Sequence, residues 1–472
     1  MDELRKLIKN ISIYTFGNIL NKALGFILIP IYSVYLSTED YGIISAMTIF
    51  ISFCAVIISF SLDRAVYRCY FDYKTEEQKK TFLGTIIISI VFFTTIFAFT
   101  IILLSDYVGL IFNSIPFYPY YFLALLILYI SSAYQIALIY YRVTEQSKKY
   151  VLLSLSYLII NSSLIIYFVT GLKMGALGKL NANVIASLIF LPFAFLAIRN
   201  KINFKVDIKM LKDSLKYSIP IIPNLLSGLL LSMSDRIFIE KIINLHSMGI
   251  YSLGSQLAGG LAFVGAAFYG AFFPLFFRIA NLEKEKIHYL KIIQDNYHLI
   301  MIVLHFLAFF FAKEIFLLII DPKFIESYKI FQLIIIASLY NSIFDVLNLS
   351  FSQDKKTATL MYIVVFGVVL NITLNYFLVP IMGIYGACYA TIISFIFIGT
   401  IKYFFARNYF FINWNWKDIN FAIITICSIY ALSILLSSDA LMYNIIIKII
   451  LSLFILFFIK NKLKKSINIF QK

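Results

Sequence analysis

The chain has 472 residues, of which 61% are hydrophobic and 14% charged, with a formal net charge of +16. Soluble domains carry about 25% charged residues, and no stretch here is long and polar enough to form one. The composition excludes a soluble enzyme and points to an all-α integral membrane protein whose function lies among its helices.

Apolar runs of about 20 residues, the length a helix needs to cross the hydrocarbon core, alternate with short charged connectors. In chain order they predict fourteen transmembrane helices near residues 11–36, 43–62, 82–105, 119–142, 150–170, 177–198, 217–243, 248–277, 296–320, 328–352, 358–381, 384–406, 418–437 and 443–460. Arg5, Lys6 and Lys9 precede the first run as in a signal peptide. That run is too long for an h-region and no A-x-A-like site follows, so it reads as an uncleaved first helix. Gly259-Gly260, Gly265 and Gly270 in the eighth span suit close packing or a bend. Lys313 and Glu314 interrupt the ninth.

Charge orients the helices. With a cytoplasmic N-terminus, 31 of the 40 Lys and Arg fall in inner segments. The outer loops hold 6, namely Lys173, Lys179, Lys241, Lys313, Lys323 and Lys329, and 3 lie inside spans, Lys22, Arg236 and Lys448. This is the positive-inside pattern, and an even span number returns the C-terminus to the cytoplasm. The basic charge is thus a topology signal, with no nucleic-acid partner implied. Arg64, Arg68 and Arg278 close spans at the inner surface and read as orientation signals.

The chain also repeats at a period near 207. Ser12, Asn18 and Leu20 match Ser218, Asn224 and Leu226 at an offset of 206; Gly42-Ile43 matches Gly249-Ile250, and Lys148-Lys149 matches Lys355-Lys356, at 207. Met174-Gly175, Gly178 and Ala182 match Met382-Gly383, Gly386 and Ala390 at 208. Self-similarity at a fixed period marks duplication. Six spans separate equivalent points, so the copies are parallel repeats about an axis along the membrane normal. The expected organisation is an N-terminal six-helix lobe over 1–206, a second over 207–407, and two appended helices with a tail over 408–472.

Polar residues inside the spans form stripes. Span 1 carries Tyr14, Asn18, Lys22 and Gly25 on one face, with Asn21 beside them; span 7 carries Asn224, Gly228 and Asp235, with Arg236 about 100° around the helix. Span 10 presents Asn341, Asp345, Asn348 and Ser352, and span 4 a weaker stripe of Ser131, Gln135 and Arg142. Asn and Ser also hydrogen-bond between transmembrane helices, so the uncharged members read first as helix glue. A charge at membrane depth demands a wet or paired site, which selects Lys22, Arg236, Asp235 and Asp345 as cavity residues. Lys448, near the outer end of the last span, reads as snorkelling.

Cys54, Cys69, Cys388 and Cys427 give no disulfide framework. His246, His288, His298 and His305 lack metal-ligand spacing, and no Walker A sequence or catalytic constellation occurs. No cofactor, metal or catalytic residue is expected.

Ser234-Asp235-Arg236 through Gly249-Ile250-Tyr251-Ser252, Phe16-Gly17-Asn18 with Tyr41-Gly42, and Ile319-Ile320-Asp321-Pro322 through Tyr328 resemble motifs of the polysaccharide-transporter branch of the multidrug/oligosaccharidyl-lipid/polysaccharide exporter superfamily. Asp321 stands where that family commonly has Gly. The resemblance implies a flippase in a bacterial plasma membrane, both termini cytoplasmic. It would move a polyprenyl-diphosphate-linked oligosaccharide, an O-antigen, capsule or exopolysaccharide repeat unit, by alternating access. It implies proton or sodium coupling, contact with membrane lipids, and a polysaccharide polymerase and chain-length machinery as partners. On that reading Lys22 and Arg236, with Asn18 and Asn224, bind the substrate, and Asp235 and Asp345 couple ions. The alternatives are a drug/cation antiporter of the same superfamily, which favours acidic cavities, and an integral-membrane polysaccharide polymerase, which needs a large charged outer loop.

Overall fold

The computed structural model describes residues 24–109, 111–282, 287–436 and 443–453, together with Ile13, Gly17, Leu20 and Asn21. Lys22 and Asn18 lie outside the described residues. Secondary structure is helical throughout, with no strand among the described residues. In hydrocarbon only helices and closed barrels satisfy their own backbone groups. The chain divides into two compact units, described up to Ser252 and from Leu253.

The first unit contains α1 (Leu24–Tyr35), α2 (Thr38–Ile58), α3 (Leu62–Cys69), α4 (Glu76–Leu103), α5 (Phe122–Val143), α6 (Ser147–Ile166), α7 (Gly175–Ile198), α8 (Ile208–Ser218), α9 (Ile222–Ile242) and the first half of α10 (Leu245–Ala258). Polar residues at the connectors set the helix starts. Ser37 and Asp40 cap α2 reciprocally, and Thr75 and Gln78 do the same for α4; each satisfies amides the first turn leaves open. The buried core joins Leu62, Phe82, Tyr134 and Phe190. Phe92, Ile96, Phe99 and Leu103 line one face of α4 and are all exposed. Such a stripe is a liability in water and costs nothing against lipid tails.

Where α2 and α10 begin, they cross closely. A Cβ on Gly42 would lie 2.4 Å from the Leu245 carbonyl oxygen, and one on Gly249 would lie 1.9 Å from that of Thr38. The Ser252 hydroxyl donates to Ser45 at 2.8 Å, across a sequence separation of 207. Gly42 and Gly249 stand at that same offset, as do Thr38 and Leu245. The contact is reciprocal, the pattern two copies of one segment make about a two-fold axis. His246 Nδ1 meets the Thr38 hydroxyl at 2.6 Å and Glu39 at 3.6 Å beside it.

The second unit holds the end of α10, α11 (Ala262–Leu282), α12 (Ile287–Phe310), α13 (Ala312–Ile319), α14 (Ser327–Asp345), α15 (Asn348–Gln353), α16 (Thr357–Met382), α17 (Ile384–Ala406), α18 (Trp416–Leu435) and α19 (Tyr443–Leu453). A 3-10 turn over Gly259–Leu261 joins α10 to α11, within one apolar helical stretch from Leu245 to Asn281. The ninth is shifted, running over Ile287–Phe310 and breaking at Phe311 before the short α13. Gly383, at φ 59°, makes the one-residue joint between α16 and α17, a conformation that side chains disfavour. Phe268 and Tyr297 stack at 3.9 Å in this unit's core.

Eleven described helices are long and apolar enough to cross a membrane. Three shorter apolar helices, Leu24–Tyr35, Ile419–Leu432 and Tyr443–Leu453, fall in the segments expected as spans 1, 13 and 14.

The crossing yields a stability test. Gly42→Ala or Gly249→Ala forces a Cβ onto a backbone carbonyl and should cost about 1–3 kcal/mol, seen as a lowered Tm of the detergent-solubilised chain. Gly228→Ala, whose Cβ would meet nothing within 4 Å, should leave Tm unchanged or raise it slightly. Equal Tm for all three would mean that α2 and α10 do not pack this closely.

Candidate functional site

The α2–α3 joint builds the mouth of a cavity in the first unit. Phe60 and Ser61 both adopt left-handed φ, 45° and 52°, which is unfavourable outside glycine and concentrates at functional sites. The turn brings Asp63 and Arg64, at the start of α3, over the ends of α2 and α5. The cavity they enter has a volume of about 670 Å³, within the size range of small-molecule sites.

Its walls are polar on several sides. Arg64, Asp63 and Tyr67 come from α3, Ser131, Gln135 and Arg142 from α5, Ser52 from α2, Thr94 from α4 and Gly228 from α9. The α5 stripe that the sequence marked as weak is therefore the one that lines the cavity. Arg142 is held firmly: it donates to Tyr67 Oη at 3.3 Å and to the Tyr150 hydroxyl, and its guanidinium lies 4.7 Å over the Tyr150 ring. Arg64 is half-exposed and sits 3.5 Å from Asp63. Burial pushes the Asp63 carboxyl above the usual carboxylate range, with the Arg64 charge opposing, and two arginines face this one carboxyl across the cavity lining.

The hydroxyls are oriented too. Ser52, Thr94 and Ser132 each donate to a carbonyl of their own helix at 2.7 Å. That leaves their oxygen lone pairs as acceptors toward the cavity. Guanidinium donors beside hydroxyl acceptors match phosphate oxygens beside sugar hydroxyls.

The expected site residues fall in different places. Asp235 is buried and accepts from the Tyr251 hydroxyl. Arg236 Nη1 donates to the Ser232 carbonyl at 3.1 Å. Asn224 is exposed on α9. None of these three lines the cavity; Gly228 alone of their stripe does. Asn21, next to Lys22, reaches Ser154 at 3.4 Å.

In the second unit the span-10 stripe closes on itself. Asp345 accepts from Asn341 at 3.0 Å and from Asn348 at 3.3 Å. It also pairs with Lys402 of α17 at 3.0 Å, a lysine whose side chain is only 5% exposed. The sequence count placed Lys402 among cytoplasmic charges, because it stands near the end of its run. Lys448 corrects the snorkelling expectation. Its ammonium lies 2.7 Å from Glu314 and 2.7 Å from the Phe310 carbonyl, tying α19 to the break between α12 and α13.

The Asp345–Lys402 pair is open to a mutant cycle. Lys402→Met alone strands a carboxylate, and should cost about 1–3 kcal/mol, below the range for fully buried pairs because Asp345 is 40% exposed. Adding Asp345→Asn should recover most of that loss in thermal unfolding. A double variant as unstable as the sum of its singles would refute the coupling.

Comparison with known proteins follows the same lines. In fold, the chain is similar to the lipid II flippase MurJ, with TM-score 0.76 and 16% identity, covering 96% of this chain and 99% of that one. It is also similar to an inward-facing multidrug resistance MATE family transporter of the MOP superfamily, with TM-score 0.60 and 12% identity, covering 82% and 94%. In sequence it is 27% identical over 258 residues to an uncharacterized membrane protein of Methanocaldococcus jannaschii, covering 51% of this chain and 61% of that relative's length. It is 24% identical over 285 residues to Lsg locus putative protein 1 of Haemophilus influenzae, covering 59% and 68%. The fold neighbours are transporters rather than enzymes. The family model described as polysaccharide biosynthesis protein matches residues 7–280, more than half of the chain. The chain belongs to the polysaccharide biosynthesis protein family.

Proposed function

We propose that the chain is a flippase that turns a polyprenyl-diphosphate-linked oligosaccharide from the cytoplasmic to the outer leaflet of a plasma membrane by alternating access. The lobes over 1–206 and 207–407 would move against each other, with 408–472 appended. The observation that carries this reading is the cavity holding Arg64 and the clamped Arg142 among oriented hydroxyls. The lipid tail can stay in hydrocarbon while the sugar head enters the cavity and the guanidiniums offset the desolvation of pyrophosphate. Arg64 and Arg142 thereby join Lys22 and Arg236 as phosphate contacts, and Asp235 and Asp345 stand as coupling carboxylates. Two cations against one carboxyl disfavour the drug/cation antiporter, whose substrates need the opposite balance.

Complementation of polysaccharide export in a strain lacking its own flippase tests the site. Arg142→Ala and Arg64→Ala should each reduce export tenfold or more, about 1.4 kcal/mol, at unchanged protein abundance. Arg142→Lys should retain part of it, because charge survives while the planar fork is lost. Lys22→Ala should behave like the arginine variants and Lys22→Arg keep partial function. Normal export by Arg64→Ala and Arg142→Ala together would remove the cationic-cavity account.

Orientation has its own test. Cysteines placed at 148 and 173 should react with an impermeant thiol reagent from opposite sides, with 148 cytoplasmic, following the basic bias. Equal labelling from outside would overturn the topology.

A further inference from the structure

The segment that enters α8 is fastened to the start of α4. Asn203 donates its backbone N–H to the Lys80 carbonyl at 3.0 Å and its side-chain amide to the Thr81 hydroxyl at 3.2 Å. The Thr85 hydroxyl donates to the Lys205 carbonyl at 3.3 Å and accepts the Asp207 backbone N–H at 3.0 Å. Gly84 makes this approach possible, since a Cβ there would lie 1.8 Å from the Asn203 carbonyl oxygen. With the backbone held at 203, 205 and 207, the apolar side chains that alternate with them are left uncovered. Phe204 is 68% exposed, Val206 47% and Ile208 77%.

Their height follows from where α4 turns apolar. From Phe82 to Leu103 that helix carries no charge, and its residues 80–85 rise roughly 8 Å, about the depth of one headgroup layer. Met210, Leu211 and Leu215 of α8 pack on the core of the first unit. Lys209, Lys212 and Lys216 lie on the opposite face of the helix and are exposed, as are Lys201 and Lys205 before it. None of these five lysines is ion-paired among the described residues. Asp207 spends its carboxylate on the amides of Lys209 and Met210 as the helix cap, which leaves Asp213 as the only other acid in 201–218.

Unpaired ammoniums beside uncovered apolar side chains fit a surface that is anionic outside and apolar beneath. A leaflet carrying anionic phospholipid is such a surface: apolar groups enter the acyl boundary and lysines meet the phosphates. A soluble acidic partner would match the lysines and leave the three apolar side chains unused at headgroup height.

We propose that residues 201–216 form a binding surface for anionic phospholipid headgroups, with Phe204, Val206 and Ile208 inserted beneath them. This is a charge-selective contact at one segment, distinct from the general lipid contact of the spans, and it is independent of the flippase reading.

Lipid quenching in proteoliposomes of the full-length chain tests it. Phe204→Trp adds an indole to the native Trp414 and Trp416, and its signal is the difference from wild type. Brominated phosphatidylglycerol should quench the added indole roughly twofold or more over brominated phosphatidylcholine at equal, minor mole fraction, since each lysine at the surface favours anionic lipid about fivefold. High salt should shrink the difference. Replacing Lys205, Lys209, Lys212 and Lys216 together by Gln should abolish it. Replacing Lys148, Lys149, Lys355 and Lys356 by Gln removes equal charge elsewhere and should leave it intact. Where the first quadruple variant does not fold, Lys212→Gln alone and the salt titration should each reduce the preference. Equal quenching by the two lipids overturns the proposal. Quenching by neither overturns it as well, and turns the lysines toward a soluble acidic partner. None of these readouts measures transport, so failure here and failure of the flippase reading are distinguishable.

Discussion

Hydrocarbon supplies no hydrogen bonds and little dielectric, and nearly every feature of this chain answers that constraint. Backbone groups close their bonds within helices. A charged side chain at depth costs at least about 2.5–3.5 kcal/mol, and several of the described ones are seated against partners. Asp345 gathers Lys402, Asn341 and Asn348. Glu314 meets Lys448, and Arg142 is bound and stacked by two tyrosines. These pairings also fix which helices touch: α14 against α17, α13 against α19, α5 against α3 and α6.

Without a hydrophobic drive between helices in lipid, close packing must supply cohesion, and small residues permit it. The α2–α10 crossing shows how. Two glycines bring backbones together where any side chain would collide, and paired serines replace apolar contact at the centre. The same arrangement places α9 so that Gly228 lines the cavity while Asp235 turns inward to Tyr251.

The cavity is the exception to the pairing rule, and that makes it informative. Arg64 remains half-exposed, and Ser52 and Ser132 spend only their donors on their own helices. Asp63 is the one carboxyl set against both arginines, and burial pushes it above the usual carboxylate range. Where Asp345 is paired with Lys402 and Glu314 with Lys448, this pocket keeps two arginines against one carboxyl.

The sequence by itself determined the membrane class, the positions of most long helices and a polar stripe around Asp345. Each of these is local: hydropathy sums over a window, and helical spacing sets which residues share a face. Even Ser131, Gln135 and Arg142 were legible as a stripe, although their rank was not. Tertiary structure alone decided the rest. Arg64 enters the cavity because Phe60 and Ser61 take left-handed conformations that no glycine announces. Lys402 finds Asp345 across 57 residues, and Lys448 finds Glu314 across 134. Glu240 accepts the Ser114 backbone N–H from a loop 126 residues earlier. Hydropathy and periodicity say that a charge must be sheltered; only the packing of distant helices says by what.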